Sequence, residues 1–204
     1  MPLEGNALGY AYQKGNWLFQ HTNISIASGE IVGLVGPSGC GKSTLGKLLA
    51  GHLQPVEGHV QLDGAAIPAG ERNPVQLVLQ HPEQAVNPKW KLRRTLAESG
   101  SIDANLLADF AIEDEWLNRY PGELSGGELQ RICVARALGA GTRYLIADEM
   151  STMLDAITQT QIWQSVMKWA ERTHSGILVI SHEHQLVNRL CSRVVEWEKQ
   201  YVRV

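Results

Sequence analysis

The chain has 204 residues, 44% of them apolar and 19% charged, with a formal net charge of −3. That is ordinary globular usage, enough for one sizeable core and one domain. Its 18 lysines and arginines are scattered, and the lack of a basic stripe argues against direct contact with DNA or RNA. The start, Met1-Pro2-Leu3-Glu4-Gly5-Asn6, lacks the charged beginning and apolar stretch of a secretory signal, so the chain is expected in the cytoplasm. The longest apolar runs, such as Ile177-Leu178-Val179-Ile180, are strand-sized, well short of the ~20 residues of a membrane helix. Any membrane role is therefore expected through a partner. Cys40, Cys133 and Cys191 are odd in number and widely spaced, which fits neither a disulfide framework nor a metal site, and Cys133 is expected in the core.

In chain order, residues 10–26 predict two short strands about a turn at Lys14-Gly15-Asn16. Ile31-Val32-Gly33-Leu34-Val35 reads as a buried strand, and Leu45-Gly46-Lys47-Leu48-Leu49-Ala50 as a helix closed by Gly51. Residues 58–64 predict another strand ending in a turn, which with the first two forms an antiparallel layer. Runs at 75–79, 144–147 and 176–180 are continuously apolar and alternate with helical stretches, as a parallel sheet built from βαβ units requires. Between Pro88 and Trp116, Leu92, Leu96, Leu106, Leu107 and Phe110 recur at helical spacing, marking a small helical insertion of about 88–125. Helices are predicted over 126–138 and 156–171, and a strand pair over 194–204. The predicted fold is α/β, one domain over 1–204, with a mainly parallel sheet, an N-terminal antiparallel β layer and a small α-helical subdomain.

Gly36-Pro37-Ser38-Gly39-Cys40-Gly41-Lys42-Ser43-Thr44 matches the phosphate-loop pattern G-x-x-x-x-G-K-[S/T], between a strand and a helix where that motif belongs. Glycines 36, 39 and 41 let the backbone curl and aim successive N–H groups at phosphate oxygens, helped by the positive end of the helix. Lys42 would reach the β- and γ-phosphates of ATP, Ser43 would place its hydroxyl on a bridging Mg²⁺, and Thr44 would support the turn or touch the α-phosphate. The same amides could lower the Cys40 thiol pKa, so alkylation is expected to inactivate the protein through Cys40, with protection by ATP. The apolar strand at 144–147 ends in Asp148, placed to hold Mg²⁺ through its water shell, and Glu149, placed to orient or deprotonate the attacking water. Ser125, Gly126 and Gly127 of Leu124-Ser125-Gly126-Gly127-Glu128 open a helix and make a second anion site, or an ordinary capped helix with Ser125 as N-cap.

That segment resembles the LSGGQ signature of the ATP-binding-cassette (ABC) family, the phosphate-loop NTPases that power transport. The resemblance runs from about Ala7 to Val204, with the motifs in the family's order. It implies that the signature of one domain, including Glu128, covers nucleotide on a second ATPase subunit. It also implies that Gln80 senses the metal and the attacking water, that His182 contacts the γ-phosphate, and that Asp155 lies across the dimer. Tyr12 is the candidate for stacking on adenine, with Tyr10 as competitor and core packing as the alternative for either.

Gln80-His81-Pro82-Glu83-Gln84-Ala85-Val86-Asn87-Pro88 and Arg119-Tyr120-Pro121-Gly122-Glu123-Leu124 are similar to segments of the peptide and nickel importer ATPases. The implied protein is peripheral, on the cytoplasmic face of the cell membrane. Its implied partners are transmembrane permease subunits, received in a groove near Gln80 and Trp90, and an extracytoplasmic substrate-binding protein. Departures from the family pattern are Glu128 for Gln, Met150 for Pro, and Met153 where Ala often precedes Leu. The sequence ends at Val204, where many such ATPases carry a further segment, so a regulatory or docking extension is expected to be missing. A soluble ATPase of the same superfamily acting on nucleic acid or ribosomes is the alternative reading. A small-molecule phosphotransferase would leave the signature, Gln80 and His182 unused.

Overall fold

A computed structural model describes residues 2–67, 72–100 and 103–197. The chain enters through a hairpin of β1 (Leu3–Gln13) and β2 (Asn16–Ile26), 11 residues each and longer than the pattern predicts. The turn is at Lys14-Gly15, where Gly15 takes φ 83°, a conformation that costs a residue without Cβ little. β3 (Ile31–Val35) then leaves for a second sheet, followed by α1 (Lys42–Leu49). β4 (Glu57–Leu62) and β5 (Ala65–Ala66) complete the antiparallel layer, in the order β2-β1-β4-β5.

β6 (Val75–Val78), β7 (Tyr144–Asp148), β8 (Gly176–Ile180) and β9 (Arg193–Glu196) join β3 in a parallel sheet of order β6-β7-β8-β3-β9. The predicted apolar runs at 75–79, 144–147 and 176–180 are thus parallel strands. The strand pair predicted over 194–204 is represented by β9, which pairs with β3; residues 198–204 lie outside the described residues. Between β6 and β7 come α2 (Leu92–Ala97), α3 (Ala104–Asp109) and α4 (Gly126–Ala137), with 3-10 turns at Pro82–Gln84, Asp114–Asn118 and Pro121–Glu123. α5 (Ala156–Thr173) and α6 (His184–Leu190) follow β7 and β8.

Side-chain alternation explains why the parallel strands are apolar throughout. Leu145, Ala147, Ile177 and Val179 face a core shared with α4, α5 and the helical segment, through Leu92, Phe110, Ile132, Cys133, Trp163 and Val166. Tyr144, Ile146, Leu178 and Ile180 face the opposite core, shared with α1 and the antiparallel layer through Leu45, Leu49, Leu8 and Phe19. α1 lies so close to this face that a Cβ on Gly46 would stand 2.9 Å from Ile180 Cδ1 and 3.1 Å from Ile146 Cγ2. The start of α1, where the phosphate loop ends, is thereby held against the sheet.

Candidate active site

Parallel strands bring their ends to one edge of the sheet, and four segments meet there. β3 ends at Val35 and opens into the phosphate loop; β6 leads to Gln80, β7 to Asp148 and Glu149, and β8 to Ser181 and His182. The registers Leu34↔Ile180, Asp148↔Ile180 and Val78↔Ala147 align these ends.

The loop delivers Gly41 at φ 104° as the residue before α1, and no side chain caps that helix. Its first-turn amides are left for an outside acceptor, which is the requirement for an anion cradle. Lys42 is only 8% exposed, and its ammonium donates to the carbonyls of Gly36 (2.7 Å) and Pro37 (2.9 Å), so its charge is held inside the loop. Pro37, Ser38 and Gly39 form the loop's exposed crest. Thr44 is buried, and its Oγ1 lies 2.9 Å from the hydroxyl of Tyr12. Tyr12 is 67% exposed beside the loop, whereas Tyr10 packs against the core; their rings meet edge-on at 5.0 Å.

Ser43 Oγ donates to Asp148 Oδ1 at 3.0 Å. Burial holds the Asp148 carboxyl above its usual pKa; the Ser43 hydrogen bond opposes this, and the charge of Glu149 adds to it. A hydroxyl and a desolvated carboxylate at one point form a hard oxygen donor pair suited to Mg²⁺. Glu149 sits at φ 52° just past β7, its N–H bonded to Ile180 O at 3.0 Å. One carboxylate oxygen accepts the His182 backbone N–H at 3.1 Å and lies 2.8 Å from His182 Nδ1. The other, Oε2, is buried without a protein partner.

Two further groups hold these segments in place. Gln130, 1% exposed on α4, donates through Nε2 to Met150 O (2.7 Å) and Leu79 O (3.3 Å), tying the residue after Glu149 to the residue before Gln80. Trp197, at the end of β9, donates from its indole to the Cys40 carbonyl at 2.9 Å. Neither is legible from local pattern, since their partners lie 20 to 157 positions away.

Ser125 and Glu128 form a reciprocal capping box: the Glu128 N–H donates to Ser125 Oγ (3.3 Å) and the Ser125 N–H to Glu128 Oε2 (2.7 Å). The Ser125 amide therefore already has an acceptor, while Gly126 lies exposed and Gly127 half-exposed at the helix start. The backbone N–H of Ser125, then its hydroxyl, hold the Glu128 carboxyl below the usual carboxylate range. Asp155 caps α5 by accepting from Ile157 and Thr158, both at 3.0 Å.

One expectation is corrected. The Cys40 side chain is 2% exposed and turned into the core, so its thiol is shielded from a reagent in solution, against the ready alkylation expected. Cys133 is in the core, as expected, and burial raises its thiol to about 11. A concavity of about 870 Å³ between α5 and α6, lined by Trp163, Met167 and Leu186, contains none of the groups above.

Residues 19–152 match the family described as ABC transporter. The chain is 34% identical to the nickel import system ATP-binding protein NikE of Staphylococcus aureus, strains bovine RF122 / ET3-1 and USA300. Each alignment covers 95% of this chain and 85% of the relative. Among solved structures, an ATP-binding subunit of an ABC transporter superposes with a TM-score of 0.84 at 21% identity, over 98% of this chain and 87% of the other. The dimeric post-hydrolysis state of the ATP-binding cassette MJ0796, bound to ADP and Pi, gives 0.81 at 23%, over 97% and 94%. CbiO1 from Clostridium perfringens, part of the transporter complex cbiONQ, gives 0.81 at 22%, over 99% and 86%.

Proposed function

This chain belongs to the ABC transporter family and is one of its ATPases, and from that premise we propose that it drives import of nickel or peptides across the cytoplasmic membrane. The observation that carries the catalytic reading is the buried, unpartnered Glu149 Oε2 beside the His182 contact. A buried carboxylate oxygen without a donor is costly, and an attacking water is the donor it lacks. Glu149 would orient that water and take its proton, and His182, held at 2.8 Å, would face the γ-phosphate. Lys42 and the backbone N–H groups of Gly36, Ser38, Gly39, Cys40, Gly41, Ser43 and Thr44 are the proposed phosphate cradle, with Pro37 shaping the loop without a donor of its own and Tyr12 against the adenine. Ser43, Gln80 and Asp148 would hold Mg²⁺, which would supply neutralisation of the phosphate charge. Ser125, Gly126, Gly127 and Glu128 would close over nucleotide bound to a second cassette, identical or different, once the phosphate displaces or joins the capping contacts.

No described helix is long and apolar enough to cross a membrane, and the proposed location is peripheral, at the cytoplasmic face, through permease subunits. The helical segment of about 88–125 is taken as a subdomain inserted in one ATP-binding domain. It carries a groove of about 500 Å³ lined by Lys89, Trp90, Lys91, Arg93, Arg94 and Tyr120, with the Arg94 guanidinium 3.8 Å from the Trp90 ring centre. Among the described residues four cations and no acid line it, so the permease helix it receives should carry acidic residues. An extracytoplasmic substrate-binding protein completes the proposed complex. The test is purification from membranes followed by reconstitution: recovery with a multispanning permease and ATP-dependent uptake of nickel or peptide supports the proposal. Recovery with ribosomes or nucleic acid instead would overturn it.

A further inference from the structure

Trp197 comes from the far end of the described chain and forms one wall of the phosphate loop. Its backbone N–H donates to Val35 O at 2.6 Å, extending the β3–β9 ladder to the base of the loop. The side chain is buried, with its ring edge-on to Phe19 at 5.4 Å. Gly36 passes so close that a Cβ there would stand 2.2 Å from Trp197 O and 3.2 Å from Trp197 Cβ. Against this wall the indole Nε1–H donates to the Cys40 carbonyl at 2.9 Å.

That carbonyl shares a planar peptide unit with the Gly41 N–H, and the described chain contains no cis peptide. In a trans peptide the C=O and N–H point in opposite directions. A donor that fixes the Cys40 carbonyl toward the wall therefore also fixes the Gly41 N–H away from it, at the uncapped start of α1. The unit needs such a fixing point because its N–H end belongs to Gly41, at φ 104°, and a glycine leaves the peptide plane on its N-terminal side freer to turn. We infer that Trp197 is a positioning residue for nucleotide phosphate, holding the Cys40–Gly41 peptide so that the Gly41 N–H is aimed before the ligand arrives. The ligand chemistry concerned is the phosphate chain common to nucleoside di- and triphosphates, independent of the base. The inference rests on reading residues 36–44 as the phosphate cradle.

The test uses the full chain and ADP with Mg²⁺, read by calorimetry, for Trp197→Phe and for Trp197 replaced by benzothienylalanine, an isostere with sulfur in place of the N–H. Both should bind ADP about 5- to 20-fold more weakly, the range for a lost buried donor, and GDP should lose by the same factor. In turnover the loss should fall on KM for ATP more than on kcat, a split that general destabilisation would not produce. ADP affinity within about twofold of the parent, a change smaller than that of one ordinary hydrogen bond, would overturn the inference. If Trp197→Phe does not fold, the isostere decides alone. Lys42→Ala separates the two levels: if it loses ADP while the Trp197 variants keep it, only the role of Trp197 fails. If Lys42→Ala and the Trp197 variants all bind normally, the cradle reading fails as well.

Discussion

Replacing Gln130 by methionine keeps the length and approximate volume of the side chain and deletes the donor that joins two catalytic segments. In the parent, Nε2 serves Met150 O at 2.7 Å and Leu79 O at 3.3 Å from a side chain 1% exposed. Losing the shorter bond orphans a buried carbonyl, at about 1–3 kcal/mol, and the longer bond adds less. Against this, Gln130 Oε1 is itself buried without a partner, a cost the thioether removes. The net loss should be about 1–2 kcal/mol. For a domain of this size each kcal/mol moves Tm by about 2–4 °C, so calorimetry should show a fall of about 2–8 °C. Because Leu79 precedes Gln80 and Met150 follows Glu149, turnover should fall as well, more than ATP affinity does. A variant with the parent's Tm and the parent's kcat would refute the view that this amide holds the two segments in register.

Glu149→Gln should retain ATP binding and lose on the order of 10²-fold or more in turnover, as for a group that positions or deprotonates water; unchanged single-turnover hydrolysis would exclude that role. Tyr12→Ala should weaken ATP by about 3- to 10-fold, the range for an aromatic contact, while Tyr12→Phe, which loses only the Thr44 contact, stays near the parent in equilibrium titration. Glu128 titrates below the usual range when folded because Ser125 hydrogen-bonds its carboxylate. Its contribution to stability is therefore present above an unfolded pKa of about 4.3 and lost as pH falls through the folded value. Melting temperatures measured against pH should show Glu128→Gln below the parent at neutral pH and the two converging in acid; a constant gap would contradict this.

Patterns confined to a few neighbouring residues could be read from the sequence. The phosphate loop, the apolar strand ending in Asp148-Glu149 and the Ser125 cap each depend on local spacing, and each lies on the element predicted for it. The first hairpin was only half legible. Register shifts between Gly5 and Leu8, Leu8 and Tyr10, Tyr10 and Ala11, and Ala11 and Gln13 interrupt the two-residue alternation that marks a strand, so β1 begins at Leu3, ahead of the predicted start. α6 has seven residues, too few for helical periodicity to declare itself. The indole bond of Trp197 to Cys40, 157 positions away, depends on β9 docking beside β3, a pairing that no local pattern encodes, and the inward turn of Cys40 is read only from the core it joins.

The central claim is that the phosphate loop is half of a site, which the signature of a second cassette completes. Sedimentation of the chain with ATP, alone and mixed with the second cassette of its transporter, combined with turnover measured on each sedimenting species, tests it most directly. Hydrolysis should run with an ATP-dependent dimer and be lost when Ser125 of the opposing cassette is disabled. Full-rate hydrolysis by a species that sediments strictly as a monomer would contradict it.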